Sequence, residues 1–255
     1  MKRVACIADL HCGHPTGLTP EAWHFRQGGG PDRDSLADYQ SESWARYVDI
    51  VAAVQPVDVL LVAGDCIDGR ETGRHLVSED RDDQCEIAKE CIKLWGAEDI
   101  IMVYGTRRHT GKLEKLETSI ANDLGATILS RAFVQIEDVM FKLRHKVGRS
   151  TIPHGRGTAI ARAAMWNELR AARGKDPKAQ VHLFAHTHYH FYVGGPDWIA
   201  MTLPSLQGAT EYGQEEIDDD VDWGVAYFDV EGGSYDWNND HIYQIEASKP
   251  EVIHL

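Results

Sequence analysis

The stretch that most constrains this chain is Val59-Leu60-Leu61-Val62-Ala63-Gly64-Asp65-Cys66-Ile67-Asp68-Gly69. A short, continuous, β-branched apolar run predicts a strand buried on both faces, as in a sheet covered by helices. Gly64 lets the backbone turn sharply where the strand ends. Asp65 is thereby delivered by a rigid strand into the loop region, where α/β proteins usually keep their chemistry. Its two oxygens can bridge two cations. Taken alone, the segment reads equally as a strand-terminating turn, for which Gly-Asp and Asp-Gly are common. Ligand-type residues elsewhere in the chain favour the first reading.

Those residues also stand at strand ends. Lys2–Ala8 reads as a first strand running into Asp9-Leu10-His11. Residues two apart in an extended segment share a side, so Asp9 and His11 are expected to face one point with a hard oxygen and a borderline nitrogen. Ile100–Tyr104 reads as a strand running into Gly105-Thr106-Arg107-Arg108-His109-Thr110-Gly111. A hairpin of 133–136 with 139–143 leads to His145. Val181–Ala185 ends in His186-Thr187-His188, a familiar spacing for metal ligands. Each could be turn chemistry, but the repetition at strand ends is hard to explain that way.

The remaining pattern is mixed. Helices are expected over Ser35–Val54, capped by Ser35, and over Gln84–Trp95, Leu113–Leu124 and Thr158–Ala172. The strand–helix–strand order predicts parallel pairs. Short runs at 191–193, 198–203, 223–230 and 241–245 suggest antiparallel pairing. Residues 14–31 read as a long loop. There Trp23, His24, Phe25 and Arg26 could contact a substrate, or Trp23 and Phe25 could pin the loop to the body. Glu215–Asp222 reads as a solvated charge run. With no repeat and no clear linker, the expectation is one α/β domain over 1–255.

The net charge of −14 argues against a broad, sequence-independent DNA-binding face. It leaves room for a site whose cations cancel local negative charge. The five cysteines form no C-x-x-C pair, and Cys6 and Cys66, in or beside apolar strands, suit buried thiols in a reducing cytosol. No apolar run reaches membrane-spanning length and no signal-peptide pattern opens the chain, so a cytoplasmic protein is expected.

In order, Asp9-x-His11, Gly64-Asp65-x-x-Asp68-Gly69, His109, His145 and His186-x-His188 resemble the motif series of the calcineurin-like metallophosphoesterases. The matches run from residue 9 to 188. The Gly105–Gly111 segment is similar to the variant of phage and prophage members. The resemblance implies a four-layer αββα sandwich of two mixed β-sheets flanked by helices. It implies two divalent metal ions, with Mn²⁺ first and Fe, Zn, Ni or Mg as alternatives. Asp9, His11, Asp65 and His188 resemble the ligands of one metal. Asp65 would bridge to a second, completed by His145 and His186. His109 resembles the histidine that protonates the leaving group or steadies the transition state. Asp68 would orient a ligand or His109, or simply cap a turn.

Three departures stand out. The asparagine that ligates the second metal in the family is absent, and Thr106 occupies the nearest place. Arg107 and Arg108 precede His109 and could bind phosphate oxygens or only fold the loop. Ala185 replaces a glycine. His154 rivals His145 but lies in a Pro/Gly loop. The implied activity is phosphodiester or phosphomonoester hydrolysis by a metal-activated water, on nucleic acid or nucleotide. The alternative is a non-catalytic metal-binding or protein-interaction module on the same fold.

Overall fold

The computed structural model describes residues 1–69, 75–110, 115–148, 150, 152–210 and 221–245. Its first half is built from strand–helix–strand units. β1 (Lys2–Ile7) pairs in parallel with β2 (Val59–Val62) after the crossover of α1 (Pro31–Val54). β2 pairs in parallel with β3 (Asp99–Val103) after α2 (Arg81–Lys93). The short helix α3 (Arg107–Thr110) and then α4 (Lys115–Leu124) lead to β4 (Thr127–Leu129), parallel to β3.

Three helix starts differ from expectation, the helix expected from Thr158 beginning at Arg156. α1 begins at Pro31, not at Ser35. Proline at the first helical position has its φ already set and needs no N–H partner, and Gly30 ahead of it adopts φ 100°. Asp34 then accepts from the Gly28 and Gly29 N–H groups at 2.7 and 3.0 Å, closing the loop onto the helix. α2 begins at Arg81, because the Asp80 carboxylate accepts from the Asp82 N–H at 2.8 Å. Gly111 and Leu113 lie outside the described residues.

The second half supplies the hairpin of β5 (Ala132–Ile136) and β6 (Val139–Lys146), then α5 (Arg156–Ala171), β7 (Val181–Ala185), β8 (Phe191–Gly195) and β9 (Trp198–Thr202). β10 (Val221–Gly224) and β11 (Ala226–Glu231) replace the single run expected at 223–230. Gly224, at φ 139°, lets the chain pass between sheets, where a Cβ would meet the His241 carbonyl oxygen at 1.9 Å. β12 (Ser234–Asn238) and β13 (Ile242–Ile245) follow.

The six-stranded sheet has the order β12-β11-β1-β2-β3-β4, and the five-stranded sheet β5-β6-β7-β9-β8; β10 and β13 form a small pair. The short late strands pair antiparallel as expected, although β9 also lies parallel to β7. Between the two large sheets, Val4, Cys6, Leu61 and Phe228 pack on Phe141, Leu143, Leu183 and Met201. On the outer side of the first sheet, Ile7, Leu60 and Met102 meet Tyr47, Ile50, Ile87 and Ile120 of α1, α2 and α4. α5 covers the outer side of the second sheet, mainly over β7, β9 and β8. This is the expected four-layer arrangement of two mixed sheets flanked by helices. No described helix is long and apolar enough to cross a membrane.

Candidate metal centre

The loops after β1 and β2 stay side by side beyond the sheet. The Asp9 N–H donates to the Gly64 carbonyl, and the His11 N–H to that of Asp65, at 3.1 and 3.0 Å. Asp9 and His11 do not converge as residues of an extended segment, as their spacing suggested. Asp9, His11 and Asp65 have φ of 50, 45 and 51°, and His186 and His188 have 75 and 57°. A side chain in this left-handed region costs on the order of 1–3 kcal/mol, and such positions gather at functional sites. Here they turn five chemically capable side chains toward one another.

Two glycines make room for this. A Cβ on Gly64 would meet the Gly105 nitrogen at 2.6 Å, and one on Gly105 would meet Asp65 Oδ1 at 2.0 Å. The loops after β2 and β3 therefore touch backbone to backbone, and Asp65 lies against both. His145 arrives from the second sheet. It lies inside β6 at the penultimate position, where the register with β7 shifts between Leu143 and Lys146. Such irregularities commonly re-aim a side chain beside a site.

The ligand atoms fall into neighbouring groups. Asp9, His11 and His188 form one triad and Asp65, His145 and His186 another, with all ligand atoms of each within 4.8 Å of one another. His11 also groups with Asp68 and His109. In the first triad, Asp9 Oδ1 lies 3.9 Å from His11 Nε2 and 3.7 Å from His188 Nε2. In the second, His145 Nε2 lies 3.1 Å from Asp65 Oδ2. The His11 ring meets that of His109 edge-on, with centroids 4.5 Å apart.

Divalent cations fit these residues. Asp9 Oδ1, both ring nitrogens of His11 and His145 Nε2 are buried without a hydrogen-bond partner among the described residues. Buried polar atoms are rarely left so without a reason. His145 has its Nδ1 2.7 Å from the Ala63 carbonyl oxygen. A carbonyl only accepts, so Nδ1 carries a proton and Nε2, once it has given up its own, is the atom left to ligate a cation.

The electrostatics agree. Burial pushes Asp9 up to about 7, reinforced by Asp65 and opposed by His145 and the His186 N–H. Burial works against the charge of Asp65 too, but His145 holds it well below the usual carboxylate range. Burial also works against the charge of His145, yet Asp65 and Asp9 raise it to about 9. Burial lowers His11, with His109 adding to the effect, and lowers His188 to about 3. Both are neutral imidazoles ready to ligate.

No protein-family model and no curated protein sequence matches the chain. Among solved structures, Vps29 from Chaetomium thermophilum aligns with TM-score 0.50 and 14% identity, covering 96% of this chain and 92% of that one. An archaeal phosphodiesterase aligns with TM-score 0.49 and 13% identity over 94% and 99% of the two chains. Vps29 of Entamoeba histolytica complexed with Zn²⁺ gives 0.46 and 13% over 95% and 98%. The first shows the fold; the other two, below 0.5, add nothing to it. The chain has the metallophosphoesterase fold.

In this fold the other residues singled out by sequence surround the triads. His109 has Nδ1 2.5 Å from the Asp68 carbonyl oxygen, so its Nδ1–H donates there; Asp68 itself is buried. The Thr106 N–H donates to Asp65 Oδ1 at 2.6 Å, and its hydroxyl lies 3.3 and 3.4 Å from the two Asp65 oxygens. Arg107 and Arg108 are exposed on α3. His154 is exposed in a 3₁₀ turn at 153–155. Trp23 and Phe25 pin their loop: Phe25 is buried, its N–H donates to Gln40 at 2.8 Å, and the Arg33 guanidinium lies over its ring. Residues 215–220 of the charge run lie outside the described residues, but Asp222 belongs to a strand and not to a loop. It is half-buried in β10 and accepts from the His190 N–H at 2.6 Å.

Sequence reasoning passed over Glu117. This fully buried carboxylate on α4 accepts from the Cys66 N–H at 3.0 Å and the Gly105 N–H at 2.8 Å. It ties together the two loops that hold Asp65. Burial pushes it up to about 7, with Asp65 adding to the effect. Its sequence signal was a carboxylate three residues before Ile120 on the apolar stripe of a helix.

Proposed function

We propose that this protein is a metal-dependent phosphoesterase acting on nucleic acid or nucleotide. Asp9, His11 and His188 would hold one cation, Asp65, His145 and His186 a second, with Asp65 shared between them. The observation that carries this reading is the pair of ligand triads gathered from the ends of strands in both sheets. When bound, divalent cations supply Lewis acidity toward a phosphoryl group and acidify nearby water.

The chain's own residues take the remaining roles. His109, oriented through Nδ1 by the Asp68 carbonyl, has Nε2 free of that bond for proton exchange with the leaving oxygen. Arg107 and Arg108, at the exposed edge of α3, offer guanidinium forks to phosphoryl oxygens. Thr106 and the Glu117-bound loops hold the Asp65 carboxylate in place. The five cysteines are free and buried, which fits a reducing cytoplasm. The likeness of Gly105–Gly111 to phage-type members inclines the reading toward a phosphodiesterase acting on nucleic acid or nucleotide.

One observation favours a second reading, a metal-binding or protein-interaction module. Thr106 stands where the family has a ligating asparagine, and its hydroxyl is turned to Asp65. A screen of Mn²⁺, Fe²⁺, Zn²⁺, Ni²⁺ and Mg²⁺ with bis-p-nitrophenyl phosphate, p-nitrophenyl phosphate and labelled DNA separates the two. Diesterase turnover supports the first. Metal binding with no turnover of any substrate supports the second.

A further inference from the structure

On the outer face of the five-stranded sheet, between β6 and α5, lies a groove of about 470 Å³. Arg131, Lys142, Arg144, Lys146, Arg162 and Arg170 line it, against one carboxylate, Asp176. In a chain with 26 Lys and Arg against 40 Asp and Glu, this is a local reversal of sign. Asp176 is taken by Arg170 at 2.7 Å and Arg131 at 3.4 Å. Arg144, Lys146 and Arg162 pair with no carboxylate among the described residues. Burial lowers Lys142, and Arg131, Arg144 and Arg170 add to the effect.

The cations are ordered. Lys142, Arg144 and Lys146 alternate along β6 and share its outer face, with a repeat of roughly 6–7 Å. Arg162 and Arg170 sit four residues either side of Trp166 on one stripe of α5. Trp166 lines the same groove with 56% of its surface exposed, which is unusual for so large an aromatic. Lys146, one of its lining residues, directly follows His145 in the chain.

We propose that this groove binds the phosphate backbone of a single-stranded nucleic acid, with Trp166 as the platform on which a base stacks. Two rows of spaced cations suit a chain of phosphates rather than one anion. An exposed indole between arginines offers a ring face to an unstacked base, which a duplex does not present. The inference goes beyond the hydrolase reading, since binding here involves none of the triad residues.

The test is fluorescence anisotropy of a labelled oligothymidylate with the full chain in EDTA, so that no turnover is involved. The expected result is salt-sensitive binding, with a log–log slope of about −3 for four to five phosphate contacts. Arg144→Glu/Arg162→Glu should weaken binding at least about tenfold. Lys146→Ala/Arg162→Ala, a milder change, should flatten the salt slope by about 1.4. Trp166→Ala should weaken binding about tenfold and leave the slope unchanged. Melting curves confirm that each variant is folded. No binding by the wild type, charge variants that bind as well as it does, or equal affinity for duplex DNA or poly-glutamate would overturn the proposal. A failure here leaves the metal-dependent turnover assay unaffected, and the reverse holds too.

Discussion

Along β6, Phe141, Leu143 and His145 turn inward to the other sheet, whereas Lys142, Arg144 and Lys146 turn outward. The inward face is buried, and near its end His145 stands 3.1 Å from the Asp65 carboxylate. The outward face is a row of cations with too few carboxylates. One strand of period two thus serves two electrostatic environments of opposite need. Net charge, an average over the surface, describes neither. The comparison also separates two kinds of site. The inner one is largely buried and held at left-handed backbone positions; the outer one is an open groove of long side chains, where interactions are weaker and salt-dependent.

The largest expected effect lies on the inner face. Asp65→Asn should reduce diesterase turnover by at least about 10²–10³-fold, the scale for losing one preorganised electrostatic group. Steady-state kinetics at saturating metal would measure it. Undiminished turnover would remove the basis for assigning Asp65 a shared role. His109→Gln should follow, lowering kcat about 10²-fold while metal affinity stays unchanged. A matched loss of metal binding would instead make His109 a ligand.

Proton linkage sharpens the contrast between the two triads. Asp9, held up at about 7 by burial, must lose its proton to take a cation. His145, held up at about 9 by Asp65 against the effect of burial, must do the same. His11 and His188 are already neutral. Metal affinity at the Asp9 triad should therefore rise about tenfold per pH unit until about pH 7 and then level. At the His145 triad it should keep rising to about pH 9. Calorimetry in buffers of differing ionisation enthalpy counts these protons, and a flat profile would contradict the assignment.

The smallest effect concerns the support of the site. Glu117→Gln leaves one of two backbone N–H groups facing an amide NH₂, and should cost about 1–3 kcal/mol of stability. Chemical denaturation reads it directly. A change within error would show that solvent or a shifted loop satisfies those groups.

The candidate ligand residues could be read from sequence because all but His145, which lies just inside the end of β6, follow an apolar strand, and strand ends are easy to find. Their left-handed backbone could not, since the enrichment of Asp and His at positive φ does not mark individual positions without the tertiary contacts that hold them there. Glu117 was hidden because its role depends on loops far away in the chain. The Lys142-Arg144-Lys146 alternation was present in the sequence, but Arg131 joins it only through the pairing of β5 with β6, and Arg162 and Arg170 only through the packing of α5 on the outer side of the same sheet. β12 escaped notice because Ser234, Asp236 and Asn238 interrupt its apolar pattern, although Gly232-Gly233 ahead of it supplies a tight hairpin turn to β11.

The account rests on six side chains, from four loops and strand ends, meeting as two cation sites. An anomalous difference map from a Mn²⁺-soaked crystal tests this most directly. It should show one peak among Asp9, His11 and His188 and a second among Asp65, His145 and His186. Peaks elsewhere, or none beside these residues at full Mn²⁺ saturation, would contradict it.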